Sequence, residues 1–167
     1  MKSLVFTGEG GSGHSYLFEE KSPSIKVTVN EFGAVRLKLF VESKEIGVLD
    51  FDKELPSVLM EDDEINLNID EETTIYKIDN LSINKNFRRK GLGSFLLKGA
   101  LKIIASENIE ACVILHSSSL EPYNVTQEDL FSFYEKFCFK KIKKETFFSC
   151  TMAIECIGDC EKNFKED

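Results

Sequence analysis

The chain has 167 residues, 42% of them apolar and 30% charged. That is the length of one domain and the composition of a soluble globular protein with room for a sizeable core. A net charge of −8 argues against non-specific nucleic-acid binding, and no apolar run reaches the roughly 18 residues that a membrane span needs.

Residues 1–7 have too short an apolar stretch for a secretion signal, so a cytoplasmic location is expected. Residues 1–24 read as an irregular, flexible arm. Its Gly8-Glu9-Gly10-Gly11-Ser12-Gly13 run lacks the Gly-Lys-Ser/Thr ending of a phosphate loop, and His14 reads as a solvated side chain. Alternation then predicts three strands. Residues 25–30 carry Ile25, Val27 and Val29 on one face, and residues 34–41 carry Val35, Leu37, Leu39 and Val41. Residues 45–51 return after a turn at Glu42-Ser43-Lys44, and Glu31-Phe32-Gly33 turns the first pair. The pattern is an antiparallel meander.

Residues 53–72 break the alternation with Pro56 and the acids Glu61, Asp62, Asp63, Glu64, Asp70, Glu71 and Glu72. They read as a solvated loop, or as an acidic wall that attracts a cationic substrate. A strand is predicted over 74–83, a helix over 92–105 and a compact buried strand over 111–116. A strand, a crossover helix and a second strand suggest a parallel pair. Thr126-Gln127-Glu128-Asp129 has the form of a helix N-cap with a carboxylate three positions on, and that helix runs to about 137. Strands over 139–144 and 146–156 close the sheet, and the polar tail from Gly158 is expected to fray. This order predicts an α/β (α+β) fold, a mixed sheet of about seven strands with flanking helices. Residues 25–157 would form the domain, with 1–24 as the arm and 158–167 as the tail.

The most informative stretch joins the strand over 74–83 to the helix that follows. Arg88, Arg89 and Lys90 precede Gly91, Leu92, Gly93 and Ser94 at the start of the helix. A glycine turn there presents backbone N–H groups and the positive end of the helix dipole, an anion site that most often takes phosphate. The five cysteines Cys112, Cys138, Cys150, Cys156 and Cys160 lack the paired close spacing of a zinc site and read as free, mostly buried thiols; no metal is expected.

Arg88-Arg89-Lys90-Gly91-Leu92-Gly93 resembles the Arg/Gln-x-x-Gly-x-Gly/Ala signature of the GNAT acyl-CoA N-acyltransferases. Leu81-Ser82-Ile83 resembles the strand end that precedes it there. Phe133-Tyr134-Glu135-Lys136-Phe137-Cys138-Phe139 resembles the second signature, commonly Phe-Tyr-Glu-Lys-Leu-Gly-Phe. The resemblance covers roughly residues 76–144. It implies acetyl-CoA as cosubstrate, with its pyrophosphate on the backbone of Arg89 to Ser94 and Arg88 shaping the loop. It implies a centrally splayed sheet whose strands part after Ile83 and His116, with pantetheine paired to the backbone of Leu81, Ser82 and Ile83. Tyr134 matches the tyrosine that acts as acid at the coenzyme sulfur. The position of a catalytic glutamate in some family members is Lys77 here. Asp79, two residues on, and His116 are the candidate bases, and a water chain is the alternative. Cys138 stands where glycine is usual, which suggests a different turn, and the usual first-helix region is shortened to Glu31-Phe32-Gly33.

The resemblance implies an N-acetyltransferase acting on a primary amine of a small molecule or a protein. The acid-rich loop favours a cationic acceptor, and a homodimer is one possible assembly. The alternative is a non-catalytic acyl-CoA-binding module of the same fold.

Overall fold

The computed structural model describes residues 5–7, 15–18, 23–54, 67, 69–70, 72–118, 125–146 and 149–163. Among them lie nine strands: β1 (Val5–Thr7), β2 (Ser15–Phe18), β3 (Ser24–Val29), β4 (Val35–Val41), β5 (Lys44–Glu54), β6 (Ile75–Ile83), β7 (Cys112–Ser118), β8 (Lys140–Thr146) and β9 (Ser149–Ile154). Two α-helices accompany them, α1 (Leu92–Glu107) and α2 (Gln127–Glu135). The chain divides into two compact units. One comprises Met1–Asp52 and Ile78–Leu101, the other Lys53–Lys77 and Lys102–Asp167.

In the first unit the strand order is β1-β2-β3-β4-β5-β6. Strands β1 to β5 pair antiparallel as a meander. The alternation seen in the sequence sets the register: Ile25 faces Leu39, Val27 faces Leu37 and Val29 faces Val35 across β3 and β4. Val35, Leu37 and Leu39 then face Phe51, Leu49 and Gly47 across β5. Ile25, Val27, Leu37, Leu39, Leu49 and Phe51 are at most 2% exposed, so one face of the meander is core. The first part of α1 covers it with Leu96, Leu97, Ala100 and Leu101, each fully buried. Helix and sheet meet closely at Gly99, where a Cβ would sit 3.0 Å from Ile25 Cδ1. The β4–β5 hairpin turns through Glu42 and Ser43, both left-handed at φ 50° and 64°. Two positive φ values are what a two-residue hairpin of native twist requires, although Asn-Gly is the usual pair.

The second unit is built on the order β6-β7-β9-β8, with β7–β9 and β8–β9 antiparallel. β7 joins the start of β6 through Cys112 N–H donating to the Thr74 carbonyl at 3.0 Å. Ile75, Cys112, Ile114 and Ala153 form a buried cluster against which Leu67, Ile69 and Ile142 pack. β9 is buried along its whole length, as expected of a strand with a neighbour on each side. Thr126 caps α2, with the reciprocal Asp129 bond of a capping box, as its sequence predicts.

The seven strands and two helices read from the sequence are present, and two regions depart from it. Residues 1–24 were expected to be irregular, yet β1 and β2 pair there; Val-Phe-Thr and Ser-Tyr-Leu-Phe are short, β-favouring runs. The tail was expected to fray from Gly158, yet Ile157–Asn163 is a 3-10 helix. Ile157 and Gly158 N–H groups donate to the Ala111 and Ile109 carbonyls at 2.9 and 2.8 Å. Ile157 and Cys160 are both buried, so burial of these two side chains overrides a polar average composition. The run Gly8 to Gly13, His14, Pro56 and the acids Glu61 to Glu64 and Glu71 lie outside the described residues.

Candidate active site

The first unit holds the basic turn. β6 ends where Asn84 N–H donates to the Ile46 carbonyl of β5 at 2.7 Å. Asn84 Oδ1 accepts from Asn86 N–H at 3.1 Å and caps the single 3-10 turn Lys85–Phe87. Arg88 then folds back, its Nε donating to the Ile83 carbonyl at 3.0 Å. This bond ties the turn to the strand end. Arg89 is left-handed at φ 61° and Gly91 at φ 76°, which is the physical need for glycine at 91. The Lys90 ammonium lies 5.4 Å from the Phe87 ring, and Arg89 and Lys90 are both exposed.

Helix α1 starts at once. Phe95 N–H donates to the Gly91 carbonyl at 3.0 Å, so the N–H groups of Leu92, Gly93 and Ser94 are those an α-helix leaves without an intrahelical acceptor. Exposed cations and helix-start N–H groups therefore converge on one turn, and the donor set suits an oxyanion. Leu81 and Ile83 are half-buried, and Ser82 and Asp79 are exposed. Alternation places Asp79, Leu81 and Ile83 on one face of β6.

β5 supports this strand end in a way the sequence reading missed. A Cβ on Gly47 would lie 2.5 Å from Ile83 Cδ1 and 2.9 Å from the Ser82 carbonyl. The signal was present, since a lone glycine inside a strand marks a bulge or a close backbone approach. A register shift does fall here: Leu39 faces Gly47 and Phe40 faces Glu45, which leaves Ile46 as the extra residue.

The second unit holds Tyr134 and His116. Tyr134 is 9% exposed, with edge contacts to the rings of Phe133 at 5.0 Å and Phe139 at 5.8 Å. Burial pushes its phenol up to about 12, so at neutral pH it keeps its proton and is a donor. His116 on β7 is exposed and its neighbour Ser117 is buried, so their side chains leave the strand on opposite faces. Lys77, at the position of the family glutamate, lies 3.8 Å from the Glu54 carboxylate. Cys138 takes φ 66°, in the left-handed region that favours glycine, and Phe139 N–H donates to the Tyr134 carbonyl at 3.4 Å. The sequence reading also missed Gln127, whose amide Nε2 donates to the Ser117 carbonyl and hydroxyl at 3.2 and 3.1 Å.

Residues 48–138 match the acetyltransferase (GNAT) family, more than half of the chain, and the protein belongs to that family of acetyltransferases. A search of curated proteins finds no match. Among solved structures, Arabidopsis thaliana NAA60 in complex with a bisubstrate analogue matches at 19% identity and TM-score 0.53, over 72% of this chain and 74% of that one. Arabidopsis thaliana Naa50 in complex with the bisubstrate analogue CoA-Ac-MVNAL matches at 17% identity and TM-score 0.51, over 71% of each chain. PaiA N-acetyltransferase from Thermoplasma acidophilum, in complex with coenzyme A, matches at 21% identity and TM-score 0.49; the match covers 72% of this chain and 59% of that one, so this chain spans less than two thirds of that relative. The similarity to the two Arabidopsis structures supports the α/β fold with its mixed sheet.

Proposed function

We propose that the protein moves the acetyl group of acetyl-CoA directly to a primary amine. The observation that carries this reading is the turn from Arg88 to Ser94. Its left-handed Arg89 and Gly91 and its helix-start N–H groups suit a pyrophosphate, and it lies within the span that matches an acetyltransferase family. Arg88 holds the loop to Ile83. Backbone N–H groups of Arg89, Lys90, Gly91, Leu92, Gly93 and Ser94 bind phosphate oxygens, and Leu81, Ser82 and Ile83 pair with pantetheine.

The neutral amine attacks the thioester carbonyl. A backbone N–H near Leu81 to Ile83 donates to the oxyanion of the tetrahedral intermediate. Collapse breaks the C–S bond, and Tyr134, protonated at neutral pH, donates to the departing thiolate. Asp79 or His116, or a water chain, takes the amine proton, so one proton leaves nitrogen and one arrives at sulfur. The acceptor is the amine of a small molecule or protein, and a cationic one is favoured by the acid-rich sequence over 53–72.

The test is thiol release from acetyl-CoA across a panel of polyamines, lysine peptides and aminoglycosides, with Tyr134→Phe alongside. Turnover on at least one amine, slowed at least tenfold by Tyr134→Phe, supports the reading; removal of a general acid typically costs 10²–10⁴-fold. One observation favours the alternative, an acyl-CoA-binding module without catalysis: Lys77, paired with Glu54, stands where some family members carry a catalytic carboxylate. Acetyl-CoA binding without turnover on every amine would establish that module instead.

A further inference from the structure

Two of the nine residues of α2 are buried, Gln127 and Tyr134. They are seven residues apart, two helical turns, and so lie on one stripe of the helix. Gln127 is 6% exposed and its partner Ser117 only 1%. The Gln127 amide Nε2 donates to two acceptors of Ser117, the carbonyl at 3.2 Å and the hydroxyl at 3.1 Å. A buried amide joined twice to one residue of a strand is a specific fastening, because misplacing it leaves buried acceptors unsatisfied. The capping box at Thr126 orders the backbone of the same turn but sets no partner on β7. The amide does.

We infer that Gln127 is a positioning residue: by fastening the first turn of α2 to Ser117 of β7, it fixes the burial and orientation of the Tyr134 phenol two turns away. The inference rests on the reading of Tyr134 as the acid only for its catalytic consequence. The positioning itself is read directly from the phenol.

The experiment places a 19F-labelled tyrosine at position 134 and records its NMR signal at neutral pH, with and without a soluble paramagnetic relaxation agent, in the wild type, Gln127→Leu and Ser117→Ala, with urea unfolding to establish that each folds. The wild-type signal is expected to be one resonance shielded from the agent, as suits a side chain 9% exposed. In Gln127→Leu the resonance should shift or split and should lose that shielding. Ser117→Ala keeps the carbonyl acceptor and should show the same change in smaller degree, so a poorly folded leucine variant does not end the test. A folded Gln127→Leu whose Tyr134 shift and shielding match wild type overturns the inference. Kinetics separate the two claims. If the acid reading holds, Gln127→Leu lowers kcat by about tenfold with little change in KM for acetyl-CoA, since displacements near 1 Å cost up to ~10²-fold. That loss should vanish in a Tyr134→Phe background. A loss that persists there in full overturns positioning through Tyr134, whereas a Tyr134→Phe enzyme at wild-type rate overturns the acid reading alone and leaves the NMR result standing.

Discussion

Gly91→Ala isolates the conformational basis of the turn. Gly91 is at φ 76°, and a Cβ built there meets nothing within 4 Å. The substitution therefore introduces torsional strain without a steric clash. An L-residue in the left-handed region costs about 1–2 kcal/mol, and the lost freedom of the unfolded chain returns about 0.4–1 kcal/mol. The net destabilisation is roughly 0.5–1 kcal/mol, which for a urea m-value of about 2 kcal/mol/M lowers the midpoint by about 0.3–0.5 M. The effect on coenzyme A binding should be larger. A strained turn that relaxes takes its N–H groups out of line, and loss of a single hydrogen bond to a charged oxygen weakens binding about tenfold or more. Urea unfolding and calorimetric titration of coenzyme A measure the two effects separately. A variant stabilised by about 0.4–1 kcal/mol, as at an ordinary glycine with negative φ, would refute the left-handed turn. Destabilisation with unchanged coenzyme A affinity would refute its role as the cradle.

Gly47→Ala should cost more than Gly91→Ala, because its Cβ meets the Ser82 carbonyl and Ile83 Cδ1. Overpacking of this kind costs about 1–3 kcal/mol, to be read from the same urea midpoints. Glu42→Asn with Ser43→Gly should stabilise the chain by about 1 kcal/mol, because both residues are left-handed and the new pair is the one this hairpin turn prefers. Alkaline pH should unfold the protein. Burial raises Tyr134 from 10.0 to about 12, and Cys112 and Cys160 from 9.0 to about 12, so the folded state holds these protons more tightly than the unfolded one. Their stabilisation is complete below pH 9 and is lost as pH rises toward 12. In Tyr134→Phe the fall in stability between pH 10 and 12 should be shallower than in wild type.

The meander was legible because its period-two alternation fixes both strand and register; Ile25, Val27, Leu37 and Leu39 need no other information to define the buried face. The turn after β6 was legible because Gly91 and Gly93 interrupt the strand pattern just before apolar residues begin to recur at helical spacing. Gly47 is harder to interpret, since a lone glycine signals close approach without naming the partner, and Ile83 lies 36 positions away. Gln127 was hidden by its place inside a capping motif that already explains polar residues. Its bond to Ser117 depends on how α2 docks on β7, which no local pattern encodes. Burial of Ile157 and Cys160 was likewise masked by their polar neighbours.

Amide hydrogen exchange with and without acetyl-CoA tests the central claim most directly. The account predicts that binding slows exchange at Gly91, Leu92, Gly93 and Ser94, whose N–H groups open α1, and at the backbone of Leu81 to Ile83. Saturating acetyl-CoA that leaves these amides unprotected, while protecting others, would contradict it.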